Sequence, residues 1–166
     1  MISIARLLLF FVITMGYNAF FRNTVKMNRS LTWVFTFSVI TLVLYLGSLL
    51  GFMLQTVYAI SVLGCLLSLY YLWTVWKKKY RFRRLDYIAL GMMAYLLLFG
   101  ITLWHSPLLH YDNFTHWATI VKFFHINNAL PTQQDTIISY YTYPVGSSLF
   151  IYFFTTIVCL LYTSDA

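Results

Sequence analysis

Long apolar blocks separated by short polar segments make up most of the chain. The longest block, residues 31–76, contains no charged residue and no histidine. As one helix it would be roughly 69 Å long at about 1.5 Å per residue, whereas the hydrocarbon core of a bilayer is about 30 Å thick. The block therefore predicts two membrane spans, 31–51 and 56–76, joined by a turn near Gly51 to Thr56.

Two glycines, Gly47 and Gly51, lie close to this predicted turn. They form a small-xxx-small pair, which would let two helices approach closely. Equally, they would simply loosen the end of the helix, because glycine weakens helical structure. The pattern fits both interpretations.

Three further apolar blocks predict spans at 4–21, 87–104 and 145–161. The first block can cross the membrane only if the side chain of Arg6 reaches the interface, so that its charge stays in water. A secretory signal peptide is the competing interpretation. Together the blocks predict an all-α, polytopic membrane protein with about five spans. We expect one transmembrane domain over residues 1–158.

The amino-acid composition also indicates a bilayer environment. The chain is 61% hydrophobic and only 9% charged, whereas soluble domains carry about a quarter charged residues. Because the chain has too few polar residues to cover a core in water, membrane lipids are its expected surroundings. The predicted location is the plasma membrane, with several passes.

The net charge of +7 is concentrated in two short segments. Nine of the eleven Lys and Arg residues lie in segments 22–30 and 77–84. Since cytoplasmic loops are enriched in Lys and Arg, both segments are predicted to be cytoplasmic, and loop 105–144 to be exterior. Segment 77–84 would also attract anionic lipids. The chain has no basic face elsewhere, so nucleic acid is not an expected partner.

Loop 105–144 contains all four histidines and two of the four acidic residues. From Asp112 onward, apolar side chains recur at helical spacing, which predicts an amphipathic helix of about four turns lying along the membrane interface. Leu130-Pro131 is expected to end this helix, because proline cannot continue one. The apolar face comprises Phe114, Trp117, Ala118, Val121 and Phe124, and the polar face Thr115, Thr119, Lys122 and Asn127.

Asp112 and His116 are four residues apart and would share a helix face, which allows three interpretations. Asp112 would be an N-cap, with His116 as an interfacial polar residue. Alternatively, Asp112 would be a catalytic carboxylate, with His116 or His110 tuning its pKa or binding substrate. In the third interpretation His110, Asp112 and His116 bind a metal ion, although their spacing matches no tight ligand motif.

Several short motifs of this loop occur in a fixed order. They are Asp112-Asn113, Trp117-Ala118, Val121, Leu130-Pro131 and Tyr143-Pro144-Val145-Gly146. This order resembles the first exterior loop of GT-C type membrane glycosyltransferases, most of all the bacterial members that work on surface polysaccharide. In that family an acidic pair begins an interfacial helix, and a proline-rich tetrapeptide re-enters the membrane. Here Asn113 replaces the second acid, Pro144-Val145 replaces a Pro-Pro pair, and four predicted spans precede the loop.

The resemblance implies transfer of a sugar from a polyprenyl-phosphate donor at the outer face of the membrane. Asp112 would be the catalytic acid/base, taking a proton from the acceptor hydroxyl. We expect no resident cofactor, and a divalent metal is the lesser alternative. The substrate-binding candidates are Asn113, His110, His116, Lys122 and Tyr143.

A non-catalytic polytopic protein, such as a transporter or flippase subunit, is the alternative function. Transporters of polar solutes usually carry ionisable residues within their spans. The predicted spans 31–51, 56–76 and 87–104 contain none, which favours the enzyme. A polysaccharide polymerase or ligase is a third possibility.

The last eight residues, 159–166, resemble the in-frame translation of a transposon-end sequencing adapter. We therefore expect them to lie outside the natural protein and to have no part in its fold. On this interpretation the chain is an N-terminal fragment, which would be inactive alone.

Overall fold

The computed structural model describes residues 4–77, 94–95, 98, 118–135, 138 and 144–158. Over these residues all regular structure is helical, which confirms the all-α prediction. Residues 94–95 and 98 are helical and belong to the predicted span 87–104, the rest of which lies outside the described residues. The helices are α1 (Ile4–Thr24), α2 (Arg29–Leu49), α3 (Met53–Lys77), α4 (Ala118–Asn127) and α5 (Gly146–Val158).

Within the described residues, three helices are long and apolar enough to cross a membrane: Ile4–Thr24, the Leu31–Leu49 part of α2, and Met53–Lys77. Their outer surfaces remain apolar, with Leu42 56% and Leu69 63% exposed. Such surfaces suit lipid better than water. The predicted span 145–161 is represented by the 13 residues of α5, and residues 159–166 lie outside the described part of the chain.

The turn between α2 and α3 is tighter and earlier than the sequence predicted. It occupies residues 50–52, and α3 begins at Met53. Gly51 has a φ of 78°, and the backbone N–H of Phe52 donates to the carbonyl of Gly47 at 2.8 Å. With the bond from the N–H of Gly51 to the carbonyl of Ser48, this is a Schellman motif, in which glycine adopts the left-handed conformation at low cost.

Gly47 and Gly51 therefore have different roles. A Cβ built on Gly51 would meet nothing within 4 Å, whereas one built on Gly47 would collide with the side chain of Thr56. Gly47 thus permits the close approach of α2 and α3, and Gly51 permits the turn. The close-approach interpretation holds for Gly47, whereas Gly51 ends α2 in a defined turn rather than loosening it.

Among the described helices, α1 and α3 share the most extensive contact, which was not predicted from the sequence. A Cβ on Gly64 would lie 2.6 Å from Cγ2 of Ile13, and one on Gly16 would collide with the carbonyl oxygen of Gly64. Beside the glycines, the Tyr17 hydroxyl donates to the carbonyl of Ile60 at 2.9 Å, and the Ser68 hydroxyl donates to that of Val12. Small residues and interhelical hydrogen bonds are the contacts that hold helices together in lipid.

The short connections at 25–28 and 50–52 reverse the chain twice, so α1 and α3 run in the same direction. Their C-terminal turns lie together, since Asn23 and Thr74 line one cavity. The two basic segments thus begin at the same end of the bundle, with Arg22 in the last turn of α1 and Lys77 in that of α3. The predicted topology requires this arrangement, because it places segments 22–30 and 77–84 on the same side of the membrane.

Helix α5 packs against α1 and α2 through aromatic rings. The rings of Phe10 and Phe154 meet edge to face at 4.9 Å, and those of Phe37 and Phe150 at 5.2 Å. Leu149 and Phe153 are fully buried in the same core. Edge-to-face aromatic pairs stabilise a core by more than the burial of their surface area alone. This cluster therefore anchors α5 to the bundle.

Candidate functional site

Most of the predicted site lies outside the described residues. This applies to Asp112, Asn113, His110, His116 and Tyr143, and with them to the catalytic and metal-binding interpretations. Over the described ranges, no group of three His, Cys, Asp or Glu side chains could hold a metal ion. The one predicted site residue that is described, Lys122, lies exposed on α4.

Helix α4 has the two faces that the sequence predicted. Val121 and Phe124 are buried, whereas Lys122 and Asn127 are exposed. The helix ends earlier than expected, because Asn128 adopts a φ of 49° and its N–H donates to the carbonyl of Phe124 at 2.9 Å. Asparagine tolerates this left-handed end better than most residues, so it ends the helix before Leu130-Pro131.

A polar contact joins α4 to α5. Nε2 of His125 lies 2.8 Å from Oγ1 of Thr155, and the Tyr152 hydroxyl donates to Oδ1 of Asn128 at 2.9 Å. Asn128, just after α4, meets Tyr152, whereas the earlier His125 meets the later Thr155, so the two helices are antiparallel. The prediction of an interfacial helix did not include this partner.

The hydroxyl of Thr155 bears on the tautomer of His125. Its hydrogen has the carbonyls of Ile151 at 2.8 Å and of Tyr152 at 3.1 Å as acceptors, an arrangement that favours donation from Nε2 of His125 to this hydroxyl. Partial desolvation lowers the pKa of His125 below the ordinary value of 6.5, because burial disfavours the charged imidazole. The neutral Nε2–H form leaves Nδ1 as a hydrogen-bond acceptor.

The polar residues of this contact follow a helical pattern that the sequence analysis missed. Ser148, Tyr152 and Thr155 are buried on α5 at i, i+4 and i+7, the spacing of one helix face. The hydroxyl of Ser148 has no hydrogen-bond partner in the described part of the chain. Polar residues recurring at helical spacing inside block 145–161 were the signal that could have revealed this face.

A groove of about 950 Å³ lies between α2 and the segments that flank α4 and α5. Leu130 and Pro131 form one side, and Pro144, Val145 and Gly146 form another. These are the two proline-containing motifs on which the resemblance to the glycosyltransferases depends. Pro131 and Pro144 are 13 positions apart in the sequence. Helix α2 contributes Phe37, Ser38, Thr41, Leu42 and Tyr45, and α5 contributes Ser147 and Phe150.

Asp135 shapes the segment that follows Pro131. Its Oδ2 accepts hydrogen bonds from the backbone N–H of Thr132 at 2.6 Å and from the hydroxyl of Thr132 at 2.9 Å. The N–H of Asp135 donates back to the carbonyl of Thr132 at 3.1 Å. Because these bonds close a local turn, Asp135 supports one side of the groove.

No protein-family model matches the chain, and no curated protein or solved structure shows significant similarity to it.

Proposed function

We propose that the chain is part of a membrane glycosyltransferase that transfers a sugar from a polyprenyl-phosphate donor at the outer face of the membrane. One observation supports the proposal most: Leu130-Pro131 and Pro144–Gly146, two separate motifs of the resemblance, line the same groove beside α2. The antiparallel packing of α4 and α5 brings these two segments together, and the open space that they leave beside α2 is of the size that binds small ligands.

The lining of the groove suits a ligand with both polar and apolar parts. The rings of Phe37 and Phe150 offer apolar faces, and the hydroxyls of Ser38, Tyr45 and Ser147 offer hydrogen bonds. A lipid-linked sugar carries hydroxyls next to a hydrocarbon chain, so it matches this mixture. In the proposed reaction, Asp112 takes a proton from the acceptor hydroxyl as that oxygen attacks the sugar, and the lipid phosphate leaves.

The function is tested in cells that carry the full-length gene and lack the native copy. Asp112→Asn removes the proposed base and is expected to abolish the surface glycan while the protein level in the membrane stays normal. Asp86→Asn is the matched control, because Asp86 follows the basic segment 77–84 at the opposite side of the predicted topology. Normal glycan in the Asp112→Asn strain would overturn the proposal and favour the transporter or flippase alternative.

A further inference from the structure

A second cavity, unrelated to the proposed sugar groove, lies between the last turns of α1 and α3. Its volume is about 510 Å³. Phe20 and Leu67, which come earlier in the two helices, contribute apolar surface to its deeper part. Its polar lining consists of Asn23, Thr24, Tyr70, Tyr71 and Thr74.

Exposed aromatic side chains indicate the depth of this cavity. Trp73 and Trp76 are 50% and 82% exposed, and Tyr70 is 63% exposed. Tryptophan and tyrosine at helix ends prefer the headgroup region of a bilayer. The cavity is at the same level of α3, so it would open where lipid phosphates lie.

Positively charged residues lie at the same helix ends as the cavity, although none of them is among its lining residues. Arg22 precedes Asn23 in the last turn of α1, and Lys26 follows that helix. Lys77 ends α3, and its ammonium lies 3.9 Å from the centroid of the Trp73 ring. The sequence contains no Asp or Glu before Asp86, so residues 1–85 supply no carboxylate that could neutralise these cations.

The helix ends themselves oppose an anion only weakly. Each C-terminus carries about half a negative charge, so the ends of α1 and α3 together contribute about one. The three cations Arg22, Lys26 and Lys77 outweigh that contribution. The balance favours a negatively charged ligand.

From these observations we propose that the cavity between α1 and α3 binds one anionic phospholipid. Its phosphate and glycerol lie among Asn23, Tyr70 and Tyr71, near the charges of Arg22 and Lys77. Its acyl chains follow the apolar surface of α3, where Leu66 and Leu69 are 57% and 63% exposed. The apolar deeper part and the interfacial depth distinguish this ligand from free phosphate, and anionic lipids in basic pockets between helices are a known mode of recognition.

The test measures binding of phosphatidylglycerol to the purified full chain in a neutral detergent, by native mass spectrometry. Phosphatidylcholine and inorganic phosphate are the comparison ligands. We expect phosphatidylglycerol to be retained, and the two comparison ligands to be retained weakly or not at all. Equal retention of phosphatidylcholine, or retention of inorganic phosphate alone, would overturn the proposal.

Charge variants locate the site. Arg22→Gln is expected to weaken phosphatidylglycerol binding about fivefold, the effect of one cation near an anionic lipid. Arg6→Gln is the matched control, because Arg6 lies at the other end of the same helix and is exposed. Lys77→Gln, at the exposed end of α3, provides a second variant should Arg22→Gln fail to fold. Unchanged affinity in a folded Arg22→Gln or Lys77→Gln protein would contradict the assignment.

Discussion

Gly16 of α1 and Gly64 of α3 lie face to face, and a Cβ added to Gly16 would collide with the carbonyl oxygen of Gly64. The atom in its path belongs to the backbone and cannot rotate away as a side chain would. The contact between α1 and α3 therefore depends on the absence of a side chain at this point.

Gly16→Ala is expected to lower the free energy of unfolding by about 1–3 kcal/mol, the usual cost of overpacking a close contact. The better helix propensity of alanine, about 1 kcal/mol, offsets this cost only in part. Thermal unfolding in detergent measures the change. Gly146→Ala is the control, since its Cβ would lie 3.8 Å from Cγ2 of Thr41, an ordinary contact. Equal losses in the two variants would show that the α1–α3 contact is not the cause.

Two buried serines are expected to respond to alanine in opposite directions. The hydroxyl of Ser68 donates to the carbonyl of Val12 on another helix, whereas that of Ser148 has no partner among the described residues. Ser68→Ala should cost about 1 kcal/mol, the net value of a typical hydrogen bond. Ser148→Ala should be neutral or stabilising, because it removes an unpaired buried polar group. Unfolding of the two variants in the same detergent compares them, and a clear loss with Ser148→Ala would reveal a partner for its hydroxyl.

The contact between α4 and α5 is expected to weaken as the pH falls. The pKa of His125 is lower in the folded protein than its ordinary value of 6.5, so the unfolded chain binds the proton more readily. The neutral imidazole therefore contributes its full stabilisation at pH values above 6.5. This contribution is lost as the pH falls through the lower pKa that His125 has in the folded protein.

Hydrogen exchange of residues 118–128, measured at neutral pH and about one unit below the ordinary histidine pKa, tests this prediction. Protection should decrease at the lower pH in the parent protein. His125→Gln retains a donor for Thr155 but does not titrate, so the decrease should be smaller in that variant. The same decrease in both proteins would assign the effect to other groups, such as His105, His110 or His116.

Filling the groove beside α2 should reduce the proposed transferase activity. Ser38 lines the groove and is exposed, so Ser38→Trp places a large ring there without disturbing the core. Val34→Trp is the control one turn earlier on the same helix, because Val34 is 64% exposed and does not line the groove. The surface glycan should decrease only with Ser38→Trp, at an equal protein level in the membrane. Unchanged glycan would separate the groove from the reaction.

Much of the local structure was predictable from the sequence. The blocks 4–21 and 31–76 became helices α1, α2 and α3 because a chain in lipid must satisfy its backbone hydrogen bonds within each segment. The two faces of α4 were also predictable, since Val121, Lys122 and Phe124 alternate at helical spacing. Boundaries were less accurate where a single backbone conformation decides them, as at Gly51 and Asn128.

The choice of packing partners was not predictable in the same way. A helix that is apolar all round has no face marked for the core, so the pattern does not tell whether a residue meets protein or lipid. Gly47 and Gly51 are recognisable as a pair because they are close in sequence, whereas Gly16 and Gly64 meet from different blocks. The predicted chemistry at Asp112, Asn113, His110, His116 and Tyr143 stays a prediction, because those residues lie outside the described part of the chain.

The sequence by itself determined that the chain forms apolar helices separated by basic and histidine-containing segments, since hydrophobicity and helical spacing act locally. Only the tertiary structure decided that Pro131 and Pro144 share a groove and that the ends of α1 and α3 enclose a second cavity. Those contacts depend on how small side chains and hydroxyls fit between helices, and that fit involves residues that are distant in sequence.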